Sequence, residues 1–358
     1  MTKPFCQALL AVPGSLATPT GGYGYARRLL AEAKGVGLAL RHWPLPDGFP
    51  NAPTTVIDDA RARLASVPEG WPVVVDGLAL GVLPPELIAA VPSPVLALCH
   101  HPLGLESGLD PVASERLIAS ETAALAGCAG VITTSRSTAS LLTAELGISS
   151  ERIAVALPGT DRPEALSTSA LSTRVGTVHI LAVGSLTYRK GHDILLSALQ
   201  DLSDLDWRLT IAGPPRDPAY AQALHTQVND MLPAGRVRLA GSMPEAELDA
   251  LYADADIFAL ASRFEGYGMA YTEAMVHGLP VVGCDVGAVS EATAGGATLV
   301  PPDNPAALVS ALRPLIADPQ ARRAAAALSK KAATALPTWS DTASSFRDAI
   351  ALFAVASV

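Results

Sequence analysis

The feature that most constrains this chain is a repeated alternation: a short apolar run, a turn, an amphipathic helical pattern, then another run. In the first half the runs are FCQALLAV, PVVVDG, PVLALC, GVITT and RIAVAL. In the second half they are VHILAVGS, WRLTIAG, RVRLAG, ADIFALAS and LPVVG. Helical patterns such as GYARRLLAEAK, SERLIASETAALAG and SMPEAELDALYADA separate them. In the last of these, Ser242 and Glu245 stand in capping-box spacing. Strand–helix alternation at this spacing predicts parallel sheets with helices on both faces, the α/β class.

A chain of 358 residues is too long for one ordinary core. The pattern breaks at PGTDRPEALSTSALSTRVGT, residues 158–177, a stretch rich in Pro, Ser and Thr without strong periodicity, and restarts at Val178. The reading is two doubly wound domains, 1–165 and 175–338, facing a central cleft. A final helix within 339–358 is expected to cross back to the N-terminal domain, with Trp339 marking the crossing. Ligands in such sheets bind beyond the C-terminal ends of the strands.

Composition narrows the function classes. The net charge of −9, with Lys and Arg scattered, argues against nucleic acid or an anionic membrane as the main partner. Cys6, Cys99, Cys128 and Cys284 are far apart and show no metal-ligand spacing, so each is read as a small buried hydrophobe in or beside a strand. No apolar run approaches a membrane span, and the N-terminus reads as a first strand rather than a leader. The expected compartment is the cytoplasm.

The stretch with the most chemical content is SRFEGYGMAYTEAMVHGLPVV, from Ser262 to Val282. It follows an apolar strand, turns at Gly266 and Gly268, runs helical from Met269 to His277, and ends at Gly278 and Pro280. A helix start preceded by glycine attracts anions, because free N–H groups point outward at the positive end of the dipole. Yet the stretch also carries two carboxylates, Glu265 and Glu273. Sugar and ribose hydroxyls resolve that conflict, since an ionised carboxylate accepts hydroxyl hydrogen bonds. A nucleoside-diphosphate sugar supplies sugar, diphosphate and ribose together.

This stretch resembles the Glu-x7-Glu signature of the family 4 retaining glycosyltransferases, which have the GT-B fold of two Rossmann-like domains. Three further segments are similar to that family in the same order: PGSLATPTGGYGYARRL to its N-terminal glycine loop, LALCHHPLGLE to the segment with its active-site histidine, and AVGSLTYRKGHDILLSAL to the first strand and helix of its C-terminal domain. The resemblance implies that Glu265 sits at the reacting sugar and that His100 contacts it. It implies that amides around Gly266, Tyr267, Gly268, Met269 and Ala270 meet sugar and diphosphate, and that Glu273 holds the ribose. Arg189 and Lys190 would face the diphosphate, and Gly21 and Gly22 would let their loop approach donor or acceptor. One departure stands out: many members have Arg directly after the glycine of the first C-terminal strand, where this chain has Ser185.

Other motifs weigh less. GGYGYA follows a strand and opens a helix, but Arg27 stands where a dinucleotide fingerprint needs its third glycine. His100 and His101 are adjacent, so in extended chain their side chains point opposite ways. Glu106 is placed to orient a histidine, to meet the acceptor or to be a solvated loop residue; Asp76 and Gly77 stand where they could line the acceptor side, though a plain turn is the favoured reading. Asp254 and Asp256 have Asp-x-Asp spacing but stand at the entrance to a buried strand, so no metal is expected. The reading is a retaining transferase that moves a sugar from a UDP- or GDP-linked donor to a hydroxyl on a soluble acceptor, with no other cofactor. Its rivals are a nucleotide-sugar epimerase of the same fold, an NAD-dependent oxidoreductase, and a nucleotide-binding protein without turnover.

Overall fold

The computed structural model describes residues 6–163, 176–231 and 235–355. Residues 164–175 of the expected linker therefore lie outside the described residues. The chain separates into two compact units, one within Met1–Gly159 and Pro337–Val358 and the other within Thr160–Leu336.

The first unit is built on a six-stranded parallel sheet of β1 (Cys6–Pro13), β2 (Leu38–Leu45), β3 (Val73–Asp76), β4 (Val95–Cys99), β5 (Gly130–Thr133) and β6 (Ile153–Val155). Its strand order is β2-β1-β3-β4-β5-β6. The order reverses beside β1, so the loops that follow β1 and β3 leave the sheet on either side of one crevice, the usual place for a ligand in this architecture. The central strands are apolar on both faces: Val73, Val74, Val75, Leu96, Ala97 and Leu98 are all fully buried. Helices therefore cover both sides. The last helix, Trp339–Val355, belongs to this unit. Its Phe353 ring lies directly on Gly130 of β5, where any side chain would overlap it. Thr342 donates to the Leu157 carbonyl, and the buried Trp339 meets Tyr25 edge-on at 5.8 Å.

The second unit repeats the plan with β7 (Val178–Val183), β8 (Trp207–Ala212), β9 (Val237–Gly241), β10 (Ile257–Leu260), β11 (Val281–Cys284) and β12 (Ala297–Val300). Its order is β12-β11-β10-β7-β8-β9, all parallel. Here the reversal falls between β7 and β10. Ile180, Leu181, Phe258 and Ala259 are fully buried, as is Trp207 to within 1%.

The ten apolar runs all become strands. The strands β2 and β12 are additional, and both are sheet edges. The spacing of Ser242 and Glu245 does not make a capping box. The helix begins at Glu245 with Pro244 as its cap residue and has no side-chain cap, so Glu245 sits at the first helical position rather than the third. Cys99, Cys128 and Cys284 are free and buried in or beside strands.

Candidate active site

Two loops flank the reversal in the second sheet, and they carry the predicted cations and the predicted carboxylate. The loop after β7 ends in the turn Tyr188–Lys190, then Gly191 and the helix His192–Gln200. The loop after β10 runs from Ala261 to Gly268 and ends in the helix Met269–Val276. Gly191 lets the two loops touch. It has φ 62° and stands so close to the Ala261 carbonyl that a Cβ would lie 1.9 Å from its oxygen. The contact is fastened by the Arg263 amide, which donates to the Arg189 carbonyl at 2.7 Å.

Glu265 is 5% exposed. Its Oε1 accepts from Lys190 Nζ at 2.6 Å and from Ser262 Oγ at 2.6 Å, and its Oε2 accepts from Arg189 Nη1 at 3.2 Å. Burial alone would push this carboxyl upward. The charges of Lys190 and Arg189 and the hydrogen bonds from Lys190 and Ser262 overcome it and bring the carboxyl down to about 2. Glu265 is thus a fixed anion, and two cations are gathered round it. The backbone is held as well: Arg189 Nη1 donates to the Phe264 carbonyl, and the Ala288 amide donates to the Glu265 carbonyl.

The helix that follows starts at Gly268, whose φ of 101° suits only glycine, and it has no side-chain cap. The first-turn amides of Met269 and Ala270 are therefore presented at the positive end of the helix. Gly266 and the buried Tyr267 form the approach to it. Glu273 lies one turn further on, half-buried, and accepts from the Tyr252 hydroxyl at 2.8 Å.

A third cation braces the two loops. Arg263 donates to both oxygens of Asp193 at 3.0 and 2.8 Å, to Asp303 at 2.7 Å and to the Tyr188 carbonyl at 2.7 Å. Its guanidinium also stacks on the Tyr188 ring at 3.8 Å. Tyr220 completes the brace by donating to Asp193 at 2.6 Å. With two carboxylates of its own, Arg263 is a strut, and Arg189 and Lys190 remain the cations at Glu265. Arg189 thus supplies a second positive charge beside Glu265.

The first unit holds the other predicted residues. Gly21 and Gly22 open the helix Gly21–Glu32, capped by Thr20. A Cβ on Gly22 would stand 3.6 Å from the His100 ring, which packs edge-on against the buried Tyr25 at 5.3 Å. His100 Nε2 is 3.6 Å from Oδ2 of Asp76, whose other oxygen accepts from the Leu78 amide. His101 has a different neighbour, Glu106, at 3.8 Å. So His100 and Gly22 meet in one cluster, with Asp76 buried beneath rather than serving only as a turn. Asp254 and Asp256 are engaged elsewhere: Asp254 pairs with His179 and Arg208, and Asp256 accepts from the His179 amide.

Sequence reasoning passed over Ser262, Arg263, Tyr252 and Tyr25. Ser262 and Arg263 stand three and two residues before Glu265 in the chain. Tyr252 reaches Glu273 from another helix through its hydroxyl, and Tyr25 meets His100 by ring packing.

Residues 177–318 match the family described as Glycosyl transferases group 1. D-inositol 3-phosphate glycosyltransferase 1 of Catenulispora acidiphila is 30% identical over 311 residues, which cover 79% of this chain and 73% of that protein. This chain belongs to the group 1 glycosyltransferases. The D-inositol 3-phosphate glycosyltransferase of Corynebacterium glutamicum is 33% identical over 172 residues, 46% of this chain; there the match spans only 41% of the relative's length. Among solved structures, Anabaena HepE in complex with UDP-glucose superimposes with a TM-score of 0.75 at 16% identity, covering 98% of this chain and 100% of that one. That likeness concerns the fold, which is GT-B, as the family resemblance implied. No helix among the described residues is long and apolar enough to cross a membrane.

Proposed function

We propose that this glycosyltransferase is a retaining, metal-independent enzyme that moves a sugar from a UDP- or GDP-linked donor to an acceptor hydroxyl. The observation that carries the reading is the buried Glu265 held by Lys190, Arg189 and Ser262, beside the uncapped start of the Met269–Val276 helix. When the bond to the nucleotide breaks, negative charge grows on the β-phosphate. Fixed cations and helix amides stabilise such charge without having to reorganise. Lys190, Arg189 and the amides of Met269 and Ala270 fill that role. Glu265 stays ionised and stabilises positive charge at the anomeric carbon. The departing phosphate takes the acceptor's proton on the same face, so configuration is retained and no separate strong base is required. The family resemblance supports a donor-sugar contact for His100. The cytoplasm and a soluble acceptor complete the reading, in keeping with the scattered basic residues.

The test is binding and slow hydrolysis of a panel of nucleotide sugars without added metal. UDP-glucose comes first, because HepE was solved with it. One donor is expected to be bound and slowly hydrolysed, and Glu265→Ala and Lys190→Ala are expected to lose that hydrolysis. Variants that behave like the parent would remove Glu265 and Lys190 from the chemistry. Turnover of NADH, or conversion of the donor sugar without an acceptor, would favour the oxidoreductase or the epimerase instead.

A further inference from the structure

Glu273 is held in a way that its sequence motif does not reveal. Tyr252, in the helix Glu245–Asp254, is 1% exposed. Its hydroxyl lies 2.8 Å from Glu273 Oε2 and 3.3 Å from the Ala270 carbonyl oxygen. A phenol has one proton to give, and the shorter contact takes it. Oε2 is thereby occupied, while Oε1 makes no hydrogen bond within the described residues. The tyrosine is itself locked in place: its ring stacks on Phe258 at 6.2 Å and on His277 at 5.2 Å. The charged groups around Glu273 come from three elements. Glu245 and Asp249 lie on the tyrosine's own helix, Lys190 on the turn after β7, and His277 at the far end of the Glu273 helix, 3.8 Å from Asp249.

We infer that Tyr252 is a positioning residue for the nucleotide's ribose: it occupies one oxygen of Glu273 and aims the other at the ribose hydroxyls. The site then selects nucleotides with an intact ribose diol. It rejects those phosphorylated there, because Glu245 and Asp249 add negative charge beside Glu273. The inference rests on the donor-site reading above. It also has a pH signature. Burial raises the Glu273 carboxyl, and Asp249 and Glu245 add to the rise, while the Tyr252 hydrogen bond and Lys190 pull it back down. Glu273 accepts hydroxyls at both oxygens only when ionised. Removing the Tyr252 hydroxyl therefore moves the acid limb of nucleotide binding to higher pH.

The experiment is calorimetric binding of UDP and GDP, each beside its 2′-deoxy and 3′-deoxy form, to the whole protein from neutral into acid pH. Parent, Tyr252→Phe and Glu273→Gln are compared. The parent is expected to favour the ribonucleotide by roughly ten- to a hundredfold, the worth of a hydrogen bond to a charged group. Tyr252→Phe should lose most of that preference and shift the acid limb upward. Glu273→Gln should lose both the preference and the limb. Parent-like preference and acid limb in Tyr252→Phe, or parent-like preference in Glu273→Gln, would overturn the inference. A parent that binds neither UDP nor GDP would overturn the donor-site reading beneath it, which is a different result from binding without ribose selectivity.

Discussion

Replacing Lys190 with Met tests the centre of the argument. Lys190 is 13% and Glu265 6% exposed at the side chain, so water does little to screen the pair. The size of the effect follows from the carboxyl. A folded value of about 2 against an ordinary 4.5 is worth about 3 kcal/mol of stability. Because the folded value is depressed, that stability is complete above the ordinary value and is lost as pH falls toward the folded one. Methionine keeps the unbranched apolar stem to Cε but removes the charge and the 2.6 Å hydrogen bond. Arg189 and Ser262 still hold Glu265, so the expected loss near neutral pH is about 2–3 kcal/mol, at or below the usual cost of breaking a buried pair. With Lys190 gone, burial dominates more, the carboxyl rises, and the acid limb of stability moves to higher pH. The assay is urea unfolding read by hydrogen exchange of peptides from β10 and the Met269–Val276 helix, which report on this unit alone. Lys190→Arg, which keeps a charge, should recover part of the loss. A Lys190→Met protein within about 0.5 kcal/mol of the parent, the range of an ordinary surface change, with an unmoved acid limb, would refute the reasoning.

Two further substitutions probe the frame around these sites. Gly191→Ala puts a Cβ 1.9 Å from the Ala261 carbonyl oxygen at a φ of 62°; it is expected to cost about 2 kcal/mol or more and to weaken nucleotide binding, measured by thermal unfolding and calorimetry. Glu121→Gln should stabilise the protein. Glu121 is 1% exposed, and burial raises its carboxyl to about 7 although it accepts from the Leu103 amide. A raised folded value means stability falls as pH climbs from the ordinary range through about 7. Gln keeps the acceptor without the charge, so thermal unfolding should show a gain approaching 3 kcal/mol above neutral pH, as an order of magnitude, and little change in acid.

The two sheets were legible because parallel strands buried on both faces leave continuous apolar runs, and these stand out from amphipathic helices. The edge strands were not. In β2, LALRHWPL interrupts its apolar residues with Arg41, His42 and Pro44, all tolerable where one side of the strand has no partner. In β12, ATLV is too short to register. The acidic pair was legible for a different reason: a glycine turn, a helix start and two carboxylates are chemically at odds unless a ligand reconciles them. What local pattern could not show was that Lys190 and Glu265, 75 residues apart, share a hydrogen bond. Tyr252 and Glu273, 21 apart on different helices, posed the same difficulty. These partners follow from strand order. Once β7 and β10 are neighbours on opposite sides of the reversal, the loops leaving them must meet above the sheet. One loop carries YRK and the other SRFE. Two cations brought against one buried carboxylate then follow from topology.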